Sequence, residues 1–138
     1  MIKIETTLRV RYAETDQMGY VYYGNYAQYY EVGRVEAMRS LGFSYKEMED
    51  KGILMPVINF NVNYKKPALY DDEIKIVTMV KVLPTVRITF EYECYNQQDE
   101  LLNTGSVTLV FIDKFKNKPT TPPDWFMNAF VSKFNTKG

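Results

Sequence analysis

The chain has no histidine among its 138 residues. That absence excludes every mechanism that uses an imidazole as general base, triad member or metal ligand. A single cysteine, Cys94, rules out an internal disulfide and suits a reducing compartment. With no cluster of His or Cys ligands, no metal is expected. Net charge is absent too: 17 Lys and Arg balance 17 Asp and Glu, so bulk attraction to nucleic acid or to an acidic membrane is not indicated. Any anionic partner must be met by a local basic cluster. No apolar run approaches the ~18 residues of a membrane span, and the opening MIKIETT lacks the apolar block of a signal peptide. The expectation is a cytoplasmic chain without membrane insertion.

What is present is apolar and aromatic. Hydrophobic residues make up 46% of the chain, enough to bury the core of one domain spanning 1–138. The 12 tyrosines concentrate in the stretch from Tyr12 to Leu41. There an alternating strand (Leu8, Val10 and Tyr12 against Arg9 and Arg11) leads through a turn carrying Asp16 and Gly19 into a long helix. The helix is predicted to start at Asn25, whose side-chain oxygen suits an N-cap, with Gly24 before it permitting close approach. Tyr26, Tyr30, Gly33, Ala37 and Leu41 recur at three- and four-residue spacing and define one face, small in its middle, for close packing on a sheet. A carboxylate just upstream of a helix N-terminus marks a candidate reaction site, because the unpaired N–H groups there can polarise a carbonyl.

Gly42 is placed to end that helix, and Ser44 with Glu47 reads as a capping box for a short helix closed by Gly52. The period then switches to two. Strands are predicted through Ile58 to Lys65, Ile74 to Val82, Val86 to Cys94 and Leu101 to Ile112, with turns at Asp71-Asp72, Leu83 to Thr85 and Asn96 to Glu100. Pro67 ends the first of these strands or confines it to an edge. The segment from Pro119 to Pro123 reads as a rigid connector, and Asp124 as the cap of a terminal helix holding Trp125, Phe126, Phe130 and Phe134. Sequential short strands and one long helix give an α+β fold, a helix wrapped by a curved antiparallel sheet. The sheet's remaining edge favours oligomerisation, as a homodimer or homotetramer.

The run from Tyr12 to Tyr26, with Asp16, Gly19, Tyr22, Tyr23 and Asn25 in fixed spacing, resembles the hotdog-fold acyl-CoA thioesterases. Glu31-x-x-Arg34, the stretch Tyr64-Lys65-Lys66-Pro67-Ala68 and Tyr70 to Glu73 agree in position and order. More narrowly, the pattern is similar to the 4-hydroxybenzoyl-CoA thioesterase group and the Tol–Pal-associated thioesterases. Many of the latter carry histidine where this chain has Tyr23, which bears on substrate class but not on a backbone donor. The resemblance implies hydrolysis of an acyl-CoA to free acid and CoA, with Asp16 catalytic and the Tyr23 backbone N–H donating to the thioester carbonyl. It also implies no cofactor beyond the CoA of the substrate. The absence of histidine argues against the hotdog dehydratases.

Taken by spacing alone, Asp16 reads equally as a turn residue. As a catalyst it would be nucleophile or general base, two routes that stay open. Tyr22, Tyr23 and Tyr26 read as wall rather than acid–base groups, and Asn25 as a cap with Gly19 in the turn beside it. Glu14 reads as a solvated strand-end residue, and Cys94 as core. Glu31 and Arg34 pair along the helix or across an interface. Lys65 and Lys66, with Arg87 nearby in sheet order, are candidates for the phosphates of CoA, or else simply solvated. The alternatives are an acyl-carrier-protein thioesterase and a non-catalytic acyl-binding module.

Overall fold

The computed structural model describes residues 1–136, so the last two residues of the expected 1–138 domain lie outside the described residues. In chain order the elements are β1 (Ile2–Arg9), α1 (Tyr26–Ser40), α2 (Tyr45–Asp50), β2 (Ile53–Leu54), β3 (Val57–Tyr64), β4 (Glu73–Val80), β5 (Arg87–Tyr95), β6 (Leu101–Val110), β7 (Ile112–Asp113), β8 (Lys118–Pro119) and α3 (Asp124–Thr136). The five longer strands form one antiparallel sheet in the order β1-β4-β5-β6-β3. The helix α1 lies against it, with β1 and β4 beneath. This is the hotdog arrangement that the sequence resemblance implied.

The face expected of α1 is the buried one: Tyr26, Tyr30, Gly33 and Ala37 are covered, and Leu41 is half-buried. Gly33 is small for a steric reason. A Cβ there would overlap the Thr78 hydroxyl and come within 3.0 Å of Ile76 Cγ2, so any side chain would lift the helix off β4. At the start of the same face Tyr30 reaches across the sheet, stacking on Tyr92 at 4.1 Å and donating from its hydroxyl to Asn103 Oδ1 at 2.6 Å. The far end closes as a Schellman motif: the Gly42 N–H meets the Arg39 carbonyl, the Phe43 N–H meets that of Met38, and Gly42 adopts φ +90°. The Ser44 hydroxyl then caps α2 by accepting from the Glu47 N–H.

Several expectations are corrected. The first strand begins at Ile2 and ends at Arg9, and Tyr12 sits exposed in a 3-10 turn instead of continuing the alternation. Val82 lies beyond β4 and is exposed. The final long strand stops at Val110, and Ile112–Asp113 turns away to join β2 and β8 in a separate three-stranded sheet. That sheet takes in Pro119, expected to be connector. Asp124 is the first residue of α3 and not its cap; the Pro123 carbonyl accepts from the Phe126 and Met127 N–H groups.

Candidate active site

The turn after β1 is built around one carboxylate. Asp16 Oδ1 accepts from the Met18 N–H at 2.9 Å and the Tyr20 N–H at 3.2 Å, while its backbone exchanges bonds with Tyr20 and Gly19. This is an Asx-type turn, and Gly19 at φ +78° supplies the left-handed residue it needs. The turn is fixed at both ends by bridges, Thr15 with Val21 and Tyr20 with Leu69. The turn role and a chemical role for Asp16 are therefore compatible. Both turn bonds fall on Oδ1, and Oδ2 has no partner among the described residues.

Three segments converge on an open cleft of about 320 Å³. The Asp16 turn contributes Asp16, Met18, Tyr20 and Val21; the helix start contributes Tyr23 and Tyr26; the end of β3 contributes Tyr64 through Pro67. Tyr23–Asn25 form a 3-10 turn leading into α1, and the Tyr23 N–H, opening that turn, has no acceptor inside it. The Tyr22 carbonyl, in the same peptide unit as that N–H, accepts from the Asn25 N–H at 2.9 Å. The expected side-chain cap is absent. Asn25 has helical φ and ψ, and its amide donates to the Glu14 carbonyl at 2.8 Å instead.

Glu14, expected to be solvated, proves to be a hub. Its carboxylate accepts from the Arg11 backbone N–H (2.8 Å), the Arg11 guanidinium and the Tyr29 hydroxyl (2.9 Å). Burial opposes its ionisation, but these donors outweigh burial and hold its carboxyl below the usual value. Its backbone carbonyl also accepts from Tyr22 and Asn25, so Glu14 ties the 3-10 turn after β1 to the helix start. Asn25, Tyr22 and Gly19 thus shape the site without lining the cleft.

Of the two lysines on the rim, Lys66 is paired with Glu100 at 2.5 Å, which lowers the Glu100 carboxyl, while Lys65 has no carboxylate partner among the described residues. Arg87 does not join them. Its neighbour on β6 is Val110, whereas Tyr64 pairs with Asn103, so Arg87 sits about 23 Å along the sheet, at the opposite end. Tyr26 is buried, and burial, then nearby Cys94 and Tyr64, push its hydroxyl far above the usual range, consistent with a wall residue. Cys94 is core: burial pushes its thiol up to about 12. Glu31 and Arg34 pair along α1 at 3.9 Å. The sequence reading missed Tyr64, Met18, Tyr20, Val21 and Pro67 as lining residues. Tyr64 was quoted in a motif, but nothing in the one-dimensional spacing places it beside Tyr23.

A family model described as the thioesterase-like superfamily matches residues 10–130. The putative acyl-CoA thioesterase YneP of Bacillus subtilis (strain 168) is 39% identical over 122 residues, 86% of this chain and 88% of that protein. The acyl-CoA thioester hydrolase YbgC of Escherichia coli O6:H1 is 32% identical over 123 residues, 89% of this chain and 92% of that one. Among solved structures, a DHNA-CoA thioesterase from Staphylococcus aureus superposes with a TM-score of 0.88 at 41% identity, covering 100% of this chain and 96% of that chain.

Proposed function

Because the chain belongs to the thioesterase-like superfamily and is a thioester hydrolase, we propose that it cleaves an acyl-CoA to free acid and CoA at the Asp16 cleft. The observation that carries this reading is the convergence of the Asp16 carboxylate and the opening turn of α1 on one cleft. The thioester carbonyl oxygen accepts from the Tyr23 N–H, and negative charge developing there is stabilised by a donor that needs no reorganisation. Asp16 Oδ2 acts on the carbonyl carbon in one of two ways. As a nucleophile it forms a mixed anhydride and expels the CoA thiolate, and water then releases the acid. As a general base it takes a proton from water, whose oxygen makes the new bond while the thiolate leaves. Single turnover in 18O-water tests the first, which places label in Asp16 when water opens the anhydride at the Asp16 carbon. Borohydride trapping of the anhydride covers opening at the acyl carbon.

Lys65 is the freer cation for the CoA phosphates, with Lys66 available once it leaves Glu100. The reaction uses no cofactor beyond the CoA of its substrate. Tyr20, Tyr23, Tyr26 and Tyr64 wall the cleft with rings, which favours a flat aromatic acyl group over a long flexible chain. This agrees with the name of the Staphylococcus relative and with the 4-hydroxybenzoyl type, which also has tyrosine at the position of Tyr23. Residues 1–138 act as one thioesterase domain. A second copy pairs along edge strand β3, where Val57, Ile58 and Phe60 are 43–47% exposed, giving a homodimer as the minimum assembly. Light scattering on the purified chain tests that. No described helix is long and apolar enough to cross a membrane, and the buried, unpaired Cys94 suits the reducing cytoplasm.

The deciding experiment is thiol release from short-, long- and aromatic-acyl CoAs by wild type and Asp16→Asn. Turnover that falls at least about a hundredfold in a folded variant supports the reading. Equal activity removes Asp16 from the chemistry, and no turnover on any CoA points to a carrier-protein thioester or to binding alone.

A further inference from the structure

The opening turn of α1 is held from outside by two groups. One is Glu14, whose carbonyl takes the Tyr22 N–H and the Asn25 amide. The other comes from a distant part of the chain: the Tyr64 hydroxyl donates to the Tyr23 carbonyl at 3.3 Å. That carbonyl already accepts from the Tyr26 N–H, so the phenol is its second donor and ties the Tyr23–Gly24 peptide to strand β3. Tyr64 is itself well fixed. Its residue pairs with Asn103 on β6, its ring meets that of Tyr26 edge-on at 5.6 Å, and the next two N–H groups, of Lys65 and Lys66, both bond the Leu102 carbonyl. Resting on the reading of Tyr23 as carbonyl donor, we propose that Tyr64 is a positioning residue, whose hydroxyl holds the helix-opening turn in register with the cleft and so sets the quality of carbonyl activation.

The ring and the hydroxyl make separable predictions. Tyr64→Phe keeps the ring beside Tyr26 and loses only the tether; Tyr64→Leu loses both. Steady-state kinetics on the best acyl-CoA, with thermal unfolding as a control, read the difference. A group that orients a transition-state donor acts on kcat, so Tyr64→Phe is expected to lower kcat about three- to tenfold, the worth of one modest hydrogen bond, with KM and the unfolding midpoint unchanged. Full activity in Tyr64→Phe with loss only in Tyr64→Leu would overturn the proposal, leaving the ring as simple packing. A raised KM at unchanged kcat would overturn it as well, since the phenol would then be contacting substrate. Asp16→Asn is measured in parallel. If it is inactive while Tyr64→Phe is normal, only this inference falls; if it is as active as wild type, the catalytic reading falls and takes the inference with it.

Discussion

The two ends of helix α1 are held by different physics. The N-terminal end opens on the cleft and is fixed by polar contacts: the Asp16 turn, the Glu14 hub, and the Tyr64 hydroxyl on the Tyr23 carbonyl. The C-terminal end is sealed by aromatic packing. Phe43 stacks on Phe126, which meets Phe111 edge-on and stacks on Phe130, and Phe130 stacks in turn on Phe134. Hydrogen bonds are directional and fix where an N–H points, while each is worth only about 1 kcal/mol net. Buried rings fix little direction but contribute about 1.5–3 kcal/mol apiece. The polar end is thus suited to precision and the aromatic end to stability. Substitutions at the two ends should accordingly separate activity from stability.

The largest effect tests the sealed end. Phe126 is fully buried, and Phe126→Ala leaves a cavity where α3, Phe43 and Phe111 meet. The expected loss is about 3–5 kcal/mol in urea unfolding, with kcat per folded molecule unchanged. A parallel fall in kcat would show that the two ends are coupled through the helix.

The next effect tests the open end by deleting one N–H. Tyr23 is the first residue of its 3-10 turn, a position where proline is at home. Tyr22, at φ −59° and ψ 129°, already has the backbone required before a proline. Tyr23→Pro should therefore fold, yet lack the proposed carbonyl donor. We expect kcat to drop about 10²–10³-fold, with Tyr23→Ala, which loses the ring and keeps the N–H, retaining much more. Equal activity in the two variants would place the donor elsewhere, with the Gly24 N–H the next candidate.

How far these ends could be read from sequence differs as well. The small middle of α1 at Gly33, the Gly42 stop and the alternation of β5 are local patterns, and each stands where it was read. β3 is a strand as read, but its apolar residues Ile58, Phe60 and Tyr64 are exposed in this chain. The small three-stranded sheet was not legible, because β2, β7 and β8 are two residues each and carry no period. At the open end the motif placed Asp16 and Tyr23 in one short stretch of the chain. The roles of Glu14 and Tyr64 depend on contacts that local spacing does not record: the Tyr64 hydroxyl is 41 residues from the carbonyl it holds. Arg87 failed for the same reason in reverse, since strand order says nothing about which end of a strand a residue occupies. Asn25 marked the helix start correctly but makes a tertiary bond where a local cap was expected.

The smallest effect concerns charge. Glu14 is held below its ordinary value of 4.5: burial opposes this, but the Arg11 N–H, the Tyr29 hydroxyl and the Arg11 guanidinium prevail. A carboxyl with a folded value below its unfolded one contributes stability that is fully present above the unfolded value and is lost as pH falls through the folded value. Glu14→Gln keeps an acceptor but not the charge. The wild-type advantage in unfolding midpoint over this variant should be full at neutral pH, shrink as pH drops below 4.5, and vanish once Glu14 is protonated. Phe126→Ala supplies the contrast, because nothing in its ring cluster titrates in that range and its deficit should stay flat with pH. If both deficits were flat, the hub would be held by hydrogen-bond geometry and not by charge. The open end would then differ from the sealed one in direction alone, with no electrostatic component to distinguish them.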